Sequence, residues 1–156
     1  MEYREKSWRI IIPKHDNSGR PLRPEYLREW LDALRKRFGG YTIIPNSYGC
    51  YYSKELGKTM CEENFIVWVV RDLNPPWGLE GTCEENNISP CTPENVILSD
   101  ERFIRQFVKG IGDFLGQETV LHSEEPSEIT FTKTEYMEEL PETKVRKAKS
   151  VEEILF

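Results

Sequence analysis

Long apolar runs are missing from this sequence of 156 residues. The longest, Phe65–Val70, is strand-sized, far below the ~20 residues needed to cross a bilayer. No membrane partner is therefore expected. The first eight residues, MEYREKSW, are charged and lack the apolar segment of a secretory signal. They point to a cytoplasmic protein. Hydrophobic residues make up only 38%, so part of the chain is expected to lie in loop or tail rather than core.

Histidine is scarce. His15 and His122 are the only two, and neither belongs to an H-x-T pair of the kind used by two-histidine phosphodiesterases. No Gly-rich loop opens a helix, which excludes a phosphate cradle of the P-loop or dinucleotide type. The four cysteines, Cys50, Cys61, Cys83 and Cys91, include no close C-x2–4-C pair, so a structural zinc site is not expected. Two readings stay open for them. They are small buried hydrophobes, as reduced cytosolic thiols usually are, or two loop-closing disulfides, Cys50/Cys61 and Cys83/Cys91.

The net charge is −6, which disfavours non-specific nucleic-acid binding. It is uneven. Residues 1–40 carry ten basic and six acidic side chains, and residues 41–156 carry eleven and twenty-one. Charges of both signs commonly solvate helix surfaces.

Hydrophobic periodicity supplies the elements. Ser7–Pro13 reads as a buried strand. Pro24–Phe38 reads as a helix, with Leu27, Trp30, Leu31, Leu34 and Phe38 in one stripe, Pro24 at its first position and Gly39 as its C-terminal cap. Tyr41–Ile44 is a second strand, stopped by Pro45-Asn46. Gly49–Ser53 and Thr59–Val70 form a hairpin around Lys54–Gly57, whose unbroken apolar arm predicts a central strand covered on both faces. Residues 72–98 read as a long loop with four prolines. Ser99 caps a second helix carrying Phe103, Phe107 and Ile111. Thr119–His122 and Glu128–Thr132 read as strands joined around Pro126. The order predicts an α+β two-layer sandwich, two helices on a mainly antiparallel sheet, ferredoxin-like or related. Residues 1–132 form the domain, and 133–156 a polar extension ending in a short helix capped by Ser150.

Phe38-Gly39-Gly40-Tyr41-Thr42, then Gly49, Gly57 and Glu62-Glu63, then Gln117-Glu118-Thr119-Val120 resemble a family of small prokaryotic and viral domains of unknown function. Its members end a helix in Phe-Gly-Gly-x-Thr, follow with a Gly-containing hairpin, and begin a late strand with Gln-Glu-x-Val. The resemblance spans roughly residues 25–132. It implies the fold and a viral or mobile-element origin, with the host cytoplasm as location, but no activity. This chain departs from the family at Cys50-Tyr51, where a Trp is common.

Two functions are expected from different classes. The leading one is an interaction module that binds a protein or a small ligand without a cofactor. Its anchors are Tyr48, Tyr51, Tyr52 and Trp77, together with a terminal segment, Ile154, Leu155 and Phe156, able to dock in a groove as a helix. The alternative is a nuclease or phosphodiesterase acting on nucleic acid with Mg. It draws on Glu62, Glu63, Asp72, Glu84 and Glu85, with Asp72, Glu84 and Glu85 as metal ligands and Lys58 or Arg71 stabilising charge. Sheet edges also offer pairing between two copies, a homodimer.

Overall fold

The computed structural model describes residues 5–73, 78–116, 122–127 and 149–155. Strand β1 (Glu5–Pro13) is followed by helix α1 (Pro24–Phe38), strands β2 (Thr42–Ser53) and β3 (Lys58–Arg71), helices α2 (Gly78–Asn86) and α3 (Pro93–Leu115), strand β4 (His122–Ser127) and helix α4 (Val151–Leu155). The sheet runs β2-β3-β1-β4, antiparallel throughout. With α1 and α3 on one face, this is the ferredoxin-like α+β sandwich that the element order predicts.

The pleat explains the core. Trp8, Ile10 and Ile12 pair with Val69, Val67 and Phe65, and all six are at most 1% exposed. They meet Leu27, Leu31 and Leu34 of α1 and Ile104, Val108, Ile111 and Leu115 of α3. The alternate row of β3, Ile66, Trp68 and Val70, is only half-buried. β3 is central, as its apolar run predicts, but among the described residues one of its faces has no helical layer. Trp68 lies on that open face under the guanidinium of Arg9, 5.4 Å from the ring centre. Trp30 packs partly buried against the core.

Local chemistry sets the helix ends. Gly39 takes φ 84° and closes α1 by donating its N–H to Arg35 O, a left-handed geometry that suits glycine. At the β2–β3 turn, Gly57 takes φ 65° and bonds Ser53 O at 2.8 Å. Ser150 accepts from the N–H of Glu153 and donates to its carboxylate, capping α4 as expected.

Three segments differ from expectation. The expected strands Tyr41–Ile44, from Thr42 on, and Gly49–Ser53 are parts of one strand, β2, which passes through Pro45 with a register shift between Ile44 and Ser47. An edge strand with a bulge tolerates a missing N–H. The 72–98 loop is largely helical. Pro93 opens α3 six residues before Ser99, with Thr92 accepting from the N–H of Asn95, so proline here starts a helix instead of breaking one. Within that same stretch, α2 is clasped by the Cys83–Cys91 disulfide and buries Cys83 with Leu73 and Val96. Finally, β4 runs straight through Pro126, again on a sheet edge. The expected strand residues 119–121 and 128–132 lie outside the described residues, as do Trp77 and Phe156.

Cys50 and Cys61 face each other in register across the β2–β3 hairpin and are also disulfide-bonded. Both cysteine pairs are thus resolved as cross-links rather than free buried thiols.

Candidate functional site

β2 and β3 continue beyond the end of β1, whose pairing stops at Pro13↔Asn64. At that step, on the open face of the sheet, lies a cavity of about 190 Å³ lined by Ile11, Pro13, Gly49, Cys50, Tyr51, Glu62 and Asn64. The strand period brings these residues together. Pro13 pairs with Asn64, Gly49 with Glu62, and Tyr51 with Met60, so the lining residues other than Cys50 share one row of the pleat.

The walls are mostly apolar, and two acceptors stand among them. Asn64 is 5% exposed, and its side-chain Oδ1 is buried with no hydrogen-bond partner among the described residues. Such a group is costly to leave unmatched. Glu62 is half-buried, and this burial raises its carboxyl above the ordinary range, with the charge of His15 working weakly against it. Gly49 matters to the geometry. A Cβ there would come within 3.2 Å of Asn64 Nδ2, so glycine leaves room for the amide.

Of the expected anchors, Tyr51 alone lines this cavity. Tyr48 and Tyr52 point from the opposite row into solvent, 70% and 64% exposed. Leu155 and Ile154 do not stand free as a docking segment. Leu155 is 5% exposed in the main core, Ile154 packs against that core, and the pair Arg28–Glu152 tethers α4 to α1. The apolar side of the short helix is consumed within its own domain.

The carboxylates of the metal reading do not converge. Glu84 and Glu85 project from α2 into solvent, and Asp72 follows the end of β3. Among the described residues no group of three or more His, Cys, Asp or Glu stands so as to hold a metal ion. Lys58 lies at the exposed hairpin turn. Arg71 is buried against Asp100 and is not available to a substrate. A loop over 72–98 would allow Glu84 and Glu85 to lie near Asp72 at the strand end, and the segment that carries them is helical instead. As a helix it turns its acids outward. Glu62 is expected among the carboxylates of the metal reading and Tyr51 among the anchors, whereas Asn64, Gly49, Ile11 and Pro13 carry no site expectation. Their signal was weak: one polar residue at the head of an apolar strand, and one glycine within the facing strand.

No protein-family model matches the sequence, and no curated protein does. Among solved structures, the chain is similar to a phage SAM lyase in complex with S-methyl-5'-thioadenosine, with TM-score 0.52 and 17% identity over 81% of this chain and 86% of that one. Weaker likeness extends to the divalent cation tolerance protein CutA1 from Thermus thermophilus (TM-score 0.44, 11% identity, 81% of this chain and 87% of that one). It extends also to the GlnK–ATP complex of B. subtilis (TM-score 0.35, 13% identity, 80% and 84%). At these identities the likeness concerns the fold alone. Among the described residues, no helix is long and apolar enough to cross a membrane.

Proposed function

We propose that the chain is a small-ligand-binding protein of viral or mobile-element origin. Its ligand seats on the open sheet face between Ile11, Pro13, Tyr51, Glu62 and Asn64. The observation that carries this reading is the unmatched Oδ1 of Asn64 beside the partly desolvated carboxyl of Glu62. Two acceptors without protein donors among the described residues favour a ligand that brings donors or positive charge. The apolar walls favour a flat or aliphatic body. An amphipathic nucleoside with an amino or sulfonium group meets both demands. The fold shared with a phage SAM lyase that holds S-methyl-5'-thioadenosine supports that class.

A second reading follows from Glu62. A carboxylate whose proton affinity is raised by burial is suited to accept a proton from a bound substrate. Calorimetric titration of the protein with S-methyl-5'-thioadenosine and with S-adenosylmethionine tests the first reading. Chromatography of the S-adenosylmethionine mixture for released S-methyl-5'-thioadenosine tests the second. Saturable binding that weakens at least tenfold in Asn64→Leu and Glu62→Gln is expected. Failure of both compounds to bind would sink the nucleoside assignment, and binding without turnover would sink the acid–base role.

A further inference from the structure

The same strand ends present a second cavity on the other side of the pleat. Four residues of the first pocket have a chain neighbour in it: Pro13 is followed by Lys14, Gly49 is preceded by Tyr48, and Glu63 lies between Glu62 and Asn64. Lys14, Asn46, Ser47, Tyr48 and Glu63 line this space of about 300 Å³. Two of its lining residues are joined through the backbone, Lys14 N donating to Glu63 O at 3.0 Å.

Lys14 is 9% exposed. Its Nζ donates to Asn46 Oδ1 at 3.1 Å, and no described carboxylate lies within ion-pair distance of it. An ammonium has three N–H donors and is costly to bury without a counter-charge. Beside it, Ser47 Oγ is buried with no hydrogen-bond partner among the described residues. Two polar groups therefore line one cavity with donor capacity left over. The first pocket has the opposite character, acceptors left over. Glu63, the acid in the lining, is exposed.

We propose that this cavity is a site for a small oxyanion, a carboxylate or a phosphate group, held by Lys14 Nζ and Ser47 Oγ with Tyr48 at the mouth. A point charge on a flexible stem suits a compact anion, and a hydroxyl adds direction. The site is separate from the nucleoside pocket and stands whether or not that pocket is correctly assigned.

The test is titration of the isotopically labelled protein with inorganic phosphate and, separately, with acetate, at ionic strength fixed with chloride. Backbone amide signals of Lys14, Ser47 and Tyr48 report binding. Saturable shifts with at least one anion are expected. They should be abolished in Lys14→Met, weakened several-fold in Ser47→Ala and unchanged in Asn64→Leu, which alters the opposite face. Phosphate alone or acetate alone identifies the source of the oxyanion. Non-saturating shifts with both anions overturn the proposal, as does saturation that survives in Lys14→Met. Glu63→Gln completes the test. Saturation confined to that variant would show that Glu63 fills the cavity in the intact protein, and it too would overturn the site. The amide spectrum of each variant shows that it remains folded, and Ser47→Ala stands in should Lys14→Met fail to fold.

Discussion

Arg71 and Asp100 bind each other twice, Nε to Oδ2 and Nη2 to Oδ1, both at 2.8 Å, with Asp100 wholly buried. Arg37 joins from α1, its Nε on the same Oδ1 at 3.0 Å and its Nη1 on Asn86 at 3.1 Å. Arg71 also donates to Arg37 O at 2.9 Å. One carboxylate thus ties the end of β3, the last turn of α1 and the third turn of α3, while Arg37 reaches α2. Removing it leaves two guanidinium groups without their counter-charge. Asp100→Ala is expected to lower unfolding free energy by about 3–5 kcal/mol, read from urea denaturation. A loss below about 1 kcal/mol, the scale of ordinary surface changes, would show that the network holds nothing together.

This network also marks the limit of what the sequence discloses. The stripe from Leu27 to Phe38 and the alternation through Trp8, Ile10 and Ile12 are local periodicities, so two helices and a central strand could be read directly. Asp100 could not. It looks like a first-turn acid after a Ser cap, because nothing local reveals that Pro93 has already started the helix. The Asn64 pocket is less legible still. It depends on register between three strands, and a shift of one residue would send the same side chains to the other face.

Glu62 yields a prediction about pH. Its carboxyl is raised in the folded protein by burial, so the folded state holds this proton more tightly than the unfolded chain. The stabilising contribution is complete below the ordinary glutamate value of 4.5 and is lost as pH rises through the folded value. Parent and Glu62→Gln should therefore differ in stability by an amount that changes across this window and is flat above it. Paired urea melts from acid to neutral pH measure that difference. A constant offset throughout would show that the carboxyl is not desolvated.

The terminal helix should contribute to stability rather than to partner binding. Leu155 is 5% exposed and belongs to the main cluster. Leu155→Ala is expected to cost about 2–3 kcal/mol, the low end for buried leucine because α4 sits at the cluster's rim. Glu152→Ala breaks a half-exposed pair with Arg28 and should cost less than Leu155→Ala, because solvent screens the pair. Thermal melts of both variants check the order. Equal, negligible effects would mean that the helix is undocked in solution.

Cys50 and Cys61 lie immediately before Tyr51 and Glu62 in sequence, so their cross-link fixes two strands at the pocket. Replacing both with Ser removes a constraint spanning 11 residues, worth about 2–3 kcal/mol in the chain-entropy account. The same double variant should weaken nucleoside binding. Cys83→Ser with Cys91→Ser, which frees α2, should lower stability while leaving that affinity unchanged. Identical affinity in all three proteins would show that the pocket does not depend on the hairpin cross-link.

Gly49→Ala separates binding from stability. The added methyl would meet Asn64 Nδ2 at 3.2 Å, tight enough that the amide must give by a few tenths of an ångström. Gly49 does not take a positive φ, so alanine adopts its backbone without strain. It also restricts the unfolded chain, a gain of about 0.4–1 kcal/mol. The melting temperature is therefore expected to hold or rise slightly. Affinity for S-methyl-5'-thioadenosine should fall several-fold, because the displaced amide no longer presents Oδ1 to the cavity and the methyl narrows its wall. Calorimetry on parent and variant, with melts of the same samples, decides it. A variant that loses stability but keeps affinity would place the ligand away from Asn64.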